Sequence, residues 1–179
     1  MNHEDTLILG IGNTLLTDEG AGIYALNQLQ SEHHNIPNLT FIDGGTLSFT
    51  LASWIEDCTN LIVFDATELN QPAGTVNTFV GAAMDEFLGT SKRSAHEVGL
   101  LDLMDIARLT EHLPANRALI GIQPEKIDWG VEPTPAVQNA IGPAASEAIT
   151  LIRQWQKDNT NRQDSAVNSL SADNSEALV

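Results

Sequence analysis

The chain has 179 residues, one cysteine, 42% apolar residues and a formal net charge of −16. That length suits one domain burying ~70% of the surface of its unfolded form, and the lone Cys58 excludes a disulfide framework and any cysteine-rich zinc or iron–sulfur site. No Lys or Arg precedes Lys92, so the first half is an anionic field that repels nucleic acid, phosphate-rich ligands and anionic membranes and attracts a metal cation or a basic peptide.

Residues 7–11 read as a buried strand that ends in Gly10-Ile11-Gly12-Asn13 and passes through Thr17-Asp18-Glu19-Gly20 into a helix over 18–30. A second strand over 39–42 ends in Asp43-Gly44-Gly45, a helical stretch covers 49–57, and a third strand over 61–64 ends in Asp65-Ala66. Gln71-Pro72-Ala73-Gly74 is a turn into an alternating, exposed strand over 75–80, too close to the third strand for a helical crossover and therefore antiparallel. A helix over 94–113, a fifth strand over 118–122 and a closing helix over 135–156 complete a three-layer α/β/α sandwich with a mostly parallel, mixed five-stranded sheet. Residues 1–157 form one domain, and 158–179 read as a disordered polar tail. The acidic start and the absence of an apolar run near ~18 residues predict a cytoplasmic protein without a targeting or membrane segment.

Three strands each deliver an acid to the carboxyl-end rim, where open α/β sheets bind ligands. Ser94-Ala95-His96-Glu97 matches an S-x-x-E capping box, which sets His96 in a helix's first turn, where the positive helix end favours a neutral imidazole. Glu19, Asp65 and His96 then compose a carboxylate–imidazole set suited to nickel, zinc or a related divalent ion. His3, His33, His34 and His112 lack such a context. Gly10-x-Gly12 is only a partial dinucleotide fingerprint, because Leu15 holds its third glycine position. Cys58 follows Ile55, Glu56 and Asp57 with no basic neighbour to stabilise a thiolate and reads as a plain buried or half-buried thiol. Two other classes stay in view: a receiver-like signalling module with a magnesium-dependent acceptor Asp, and a nucleotide-binding oxidoreductase.

Five separated motifs carry a resemblance: Gly10 to Glu19 (GIGNTLLTDE), Asp43 to Thr46 (DGGT), Phe64-Asp65-Ala66, His96 to Leu100 (HEVGL) and Gly121 to Glu125 (GIQPE). Over about 7–151 the chain resembles the maturation endopeptidases of nickel–iron hydrogenases, classed with aspartic-type peptidases. The resemblance implies removal of a C-terminal extension from the nickel-loaded large-subunit precursor. It places the metal contacts on Glu19, Asp65 and His96, with zinc or cadmium able to substitute for nickel, which is carried by the substrate or weakly bound. Asp43 is then assigned as general base, and the amides of Gly44, Gly45 and Thr46 as oxyanion support. The expected partner is that precursor, with no nucleic acid or membrane, and the expected state is a monomer.

Overall fold

The computed structural model describes residues 5–90 and 99–176, with side chains to 161. Its strands are β1 (Thr6–Gly10), β2 (Leu39–Asp43), β3 (Asn60–Ala66), β4 (Val76–Val80) and β5 (Asn116–Ile122). Its helices are α1 (Ala21–His33), α2 (Ala52–Asp57), α3 (Ala82–Thr90), α4 (Leu100–Leu109) and α5 (Pro135–Glu176). The chain divides into two compact units, Met1–Ala148 and Ile149–Val179, and the first holds the whole sheet.

The sheet runs β2-β1-β3-β5-β4, parallel except for β4, which pairs antiparallel with β5 from Val76↔Ile122 to Val80↔Ala118. The connection over 67–75 is shorter than the dozen or so residues a parallel crossover needs, and that sets the direction of β4. Every residue of β1 is buried, as are the first five of β3 and the last five of β5, because central parallel strands are covered on both faces. Strand alternation divides the core. Leu7, Leu9, Leu61, Val63 and Leu119 pack with Ile55 of α2, Met84 of α3 and Leu103 and Met104 of α4. Ile8, Ile62, Phe64 and Ile120 belong to the opposite face, and α1 packs on β1 and β3. The Thr78 hydroxyl donates to Glu147 Oε2 at 3.2 Å, joining β4 to the first part of α5.

One predicted helix needs correction, and one helix was not predicted. The helix predicted over 94–113 is shorter where it is described: Gly99 is extended (φ −93°, ψ 163°), α4 begins at Leu100, and Thr110 ends it before Glu111 turns to φ 62°. Asp102 Oδ2 accepts the Gly99 amide at 2.9 Å, so the cap of α4 falls at Gly99. Its predicted first turn, 94–97, lies outside the described residues. Helix α3 has no counterpart among the predicted elements because it is short, follows Gly81 and carries Gly89 in its last turn, although Met84 and Leu88 are buried at helical spacing. Helix α5 continues to Glu176, past the boundary that composition sets at 158. Among the described residues no helix is long and apolar enough to cross a membrane.

Candidate active site

The chain leaves β1 for β2 on one side and returns to β3 on the other, so the strand order reverses at β1, with β1 and β3 as neighbours. Such a reversal opens a crevice beyond the strand ends. A cleft of ≈ 880 Å³ lies there, and its lining includes Glu19, Thr46, Asp65, Asn70, Phe87 and Ile127. Two of the three predicted metal contacts, Glu19 and Asp65, are therefore brought together on one wall. His96 lies outside the described residues.

Glu19 reaches this wall because the backbone after β1 folds back tightly. Gly12 has φ +142°, and a Cβ there would lie 1.9 Å from the Glu19 carbonyl oxygen. A side chain at Gly22 would meet the carbonyl oxygens of Ile11 at 2.2 Å and Phe64 at 2.3 Å. The paired glycines let the Glu19 turn and the start of α1 press onto β1 and β3.

The two carboxylates disfavour each other's charge. Burial pushes the Asp65 carboxyl up to about 7, and the Glu19 charge adds to the rise against the lowering effect of the Ala66 amide. A divalent cation between them would relieve that repulsion, so the donor set fits a hard or borderline metal. Among the described residues no group of three His, Cys, Asp or Glu side chains assembles a metal site. A full ligand set therefore needs a donor beyond those residues or from a substrate.

The strand-end loop after β2 has another use in its present arrangement. Asp43 Oδ1 accepts the Gly45 amide at 2.9 Å, the Gly44 amide donates to the Gly10 carbonyl at 2.8 Å, and the Gly12 amide donates to the Gly45 carbonyl at 2.8 Å. These bonds make an Asx turn clamped to the end of β1. Thr46 is the member of this group that lines the cleft.

Asp18 has a role that its sequence position concealed. Fully buried beside Glu19, it accepts the Glu125 and Lys126 amides at 2.9 Å each, the Thr134 amide at 2.6 Å and the Thr134 hydroxyl at 2.9 Å. Burial alone would raise its carboxyl, but the Thr134, Lys126 and Glu125 amides and the Thr134 hydroxyl outweigh it and hold the group below the usual carboxylate range. Thr17 belongs to the same latch: its φ is +46°, its amide donates to the Gly130 carbonyl at 2.8 Å, and its hydroxyl donates to the Lys126 carbonyl at 2.7 Å. Those partners hold a β-branched residue in the left-handed region. All of them lie more than a hundred residues away, so no local spacing announces them.

Gln123, at the end of β5, does the same for the loop after β3. Its Oε1 accepts the Leu69 amide at 2.7 Å, and the Thr67 amide donates to the Ile122 carbonyl at 2.9 Å. Cys58 is half-buried, its thiol donates to the Ile55 carbonyl at 3.2 Å, and burial pushes it up to about 12, so it stays protonated and unreactive.

An acidic cleft at the strand-order reversal, lined by Glu19 and Asp65, makes this the candidate ligand site of an α/β protein. Known proteins narrow this class. A family model described as hydrogenase maturation protease matches residues 23–151. The hydrogenase expression/formation protein HupD of Rhodobacter capsulatus is 36% identical over 153 residues, covering 85% of this chain and 73% of that protein. The hydrogenase 2 maturation protease of Escherichia coli is 30% identical over 148 residues, covering 83% of this chain and 90% of that protein. The structure of the hydrogenase maturating endopeptidase HybD from E. coli superposes with a TM-score of 0.77 at 30% identity, over 84% of this chain and 93% of that one. The chain belongs to the hydrogenase maturation protease family and is a maturation endopeptidase. The receiver and oxidoreductase readings fall away with that membership. The receiver reading also lacks its lysine after β5, where Gln123 instead holds a loop.

Proposed function

We propose that this endopeptidase removes the C-terminal extension of the nickel-loaded large-subunit precursor of a nickel–iron hydrogenase, acting in the cytoplasm as a monomer. The pairing of Glu19 with Asp65 in the cleft of a family member carries this reading. In it, the Glu19 and Asp65 carboxylates and the His96 imidazole are donors to the nickel already held by the substrate, and zinc or cadmium can take its place. The protease thereby recognises a loaded precursor and leaves an empty one uncut. Asp43 accepts a proton from water as its oxygen bonds to the scissile carbonyl carbon, and that proton passes to the departing amine as the C–N bond breaks. The loop of Gly44, Gly45 and Thr46 supports the oxyanion. Since the Gly44 and Gly45 amides are engaged in the turn, Thr46 on the cleft wall is the favoured donor.

Co-incubation with nickel-loaded and nickel-free precursors tests the reading, with cleavage expected only of the loaded form. Asp43→Asn tests the base separately. An Asn Oδ1 can still accept the Gly45 amide, so the turn survives while the base is lost. Loss of cleavage at an unchanged melting temperature supports Asp43 as base, and wild-type cleavage would reduce it to a turn residue.

A further inference from the structure

Four of the eight large apolar side chains exposed among the described residues fall on two paired segments: Leu15, and Ile127, Trp129 and Val131. The Gly130 amide donates to the Leu15 carbonyl at 3.0 Å, and Leu16 bridges to Gly130, so the segments lie side by side. Trp129 is 80% exposed, yet the chain around it is anchored by Thr17 and by the Asp18 carboxylate. A large aromatic side chain held out to solvent on a fixed backbone is the form of a binding hot spot, because little ordering remains to be done on association. Ile127 also lines the cleft that holds Glu19 and Asp65, so the apolar surface runs into the site. Its rim is acidic: Glu125, Asp128 and Glu132 are exposed, and the segment's one cation, Lys126, is paired with Asp128 at 3.1 Å.

We propose that Leu15, Ile127, Trp129 and Val131 form the docking surface for the folded body of the precursor, which meets it with an apolar patch rimmed by basic side chains. This rests on the function proposed above and adds that affinity comes from a surface beside the cleft as well as from the metal. The acidic rim and the net charge of −16 select a basic partner and disfavour a second copy of this chain.

The test is steady-state processing of nickel-loaded precursor by the full-length wild type, Trp129→Ala, Trp129→Phe and the control Leu109→Ala, an exposed apolar side chain at the far end of α4. Trp129→Ala is expected to raise KM about tenfold with kcat within about twofold and the melting temperature unchanged. Trp129→Phe should recover most of the loss, and Leu109→Ala should match the wild type. A KM unchanged in Trp129→Ala, beside normal wild-type cleavage, would overturn the docking surface while leaving the proposed function standing. So would a Trp129-dependent dimer in sedimentation with unaltered KM, which would assign the patch to a second copy. Failure of the wild type to cut loaded precursor would instead refute the proposed function, and this inference with it.

Discussion

Asp18 and Asp65 are two acids at neighbouring strand ends of one sheet, and their surroundings drive them in opposite directions. Asp18 is met by three backbone amides and a hydroxyl, which hold its carboxyl low despite complete burial. Asp65 faces the Glu19 charge, and burial pushes it up to about 7. Loss of water is common to both, so the number of donors aimed at the group decides its state. A carboxylate met by several donors fastens a structure, whereas burial beside a second acid holds a carboxyl near the pH at which proteins work. The first supports the fold and the second is available for function.

The sharpest way to break this contrast is to remove each group and read both activity and stability. Glu19→Gln, Asp65→Asn and His96→Ala are each expected to abolish precursor processing while circular dichroism stays native; wild-type cleavage by any variant would remove that residue from the site. Asp18→Ala should do the reverse in kind. It strands buried donors and should cost about 3 kcal/mol, seen as a fall in melting temperature of roughly 6–12 °C.

A smaller effect distinguishes the two acids by pH. Because the folded carboxyl of Asp65 titrates near 7 and the unfolded one near about 3.9, its ionisation destabilises the metal-free protein. The penalty is absent below about pH 4, grows as pH rises and is complete above about pH 7. Asp65→Asn, melted in the presence of a chelator, should therefore be more stable than wild type at pH 8, with the difference gone at pH 4. A constant difference would mean that Asp65 is not forced to ionise against its surroundings. The smallest expected effect is that of truncation after Lys157. On composition, residues 158–179 contribute little burial, so melting temperature and processing should both stay close to wild type, and a large fall would show that the tail docks.

Much of this contrast was legible before any coordinates. Apolar runs followed at their carboxyl ends by acids placed Glu19, with its neighbour Asp18, and Asp65 on one rim, and the short link before β4 specified its direction, because strand periodicity and connection length are local properties. The role of Asp18 was not legible, since its partners Glu125, Lys126 and Thr134 come from a loop more than a hundred residues on. In sequence it was one of two adjacent carboxylates, indistinguishable from Glu19. Asp43-Gly44-Gly45 was legible as chemistry and as a turn alike, and the bonds to Gly45 and Gly10 show the turn in place. The start of α4 at Leu100 was not legible because apolar periodicity over 100–109 gives no sign that Gly99 before it is extended.

The end of β5 serves both acid-bearing loops. Through Gln123 and Ile122 it holds the loop that follows Asp65, and through the segment beginning at Pro124 it holds, by way of Asp18, the turn that carries Glu19. One strand terminus is thus the common datum for two loops that leave different strands. A shift of that terminus would reach both loops through the same residues, so their positions are tied to each other rather than set independently. The two acid-bearing loops hang from one beam, as jaws do from a caliper.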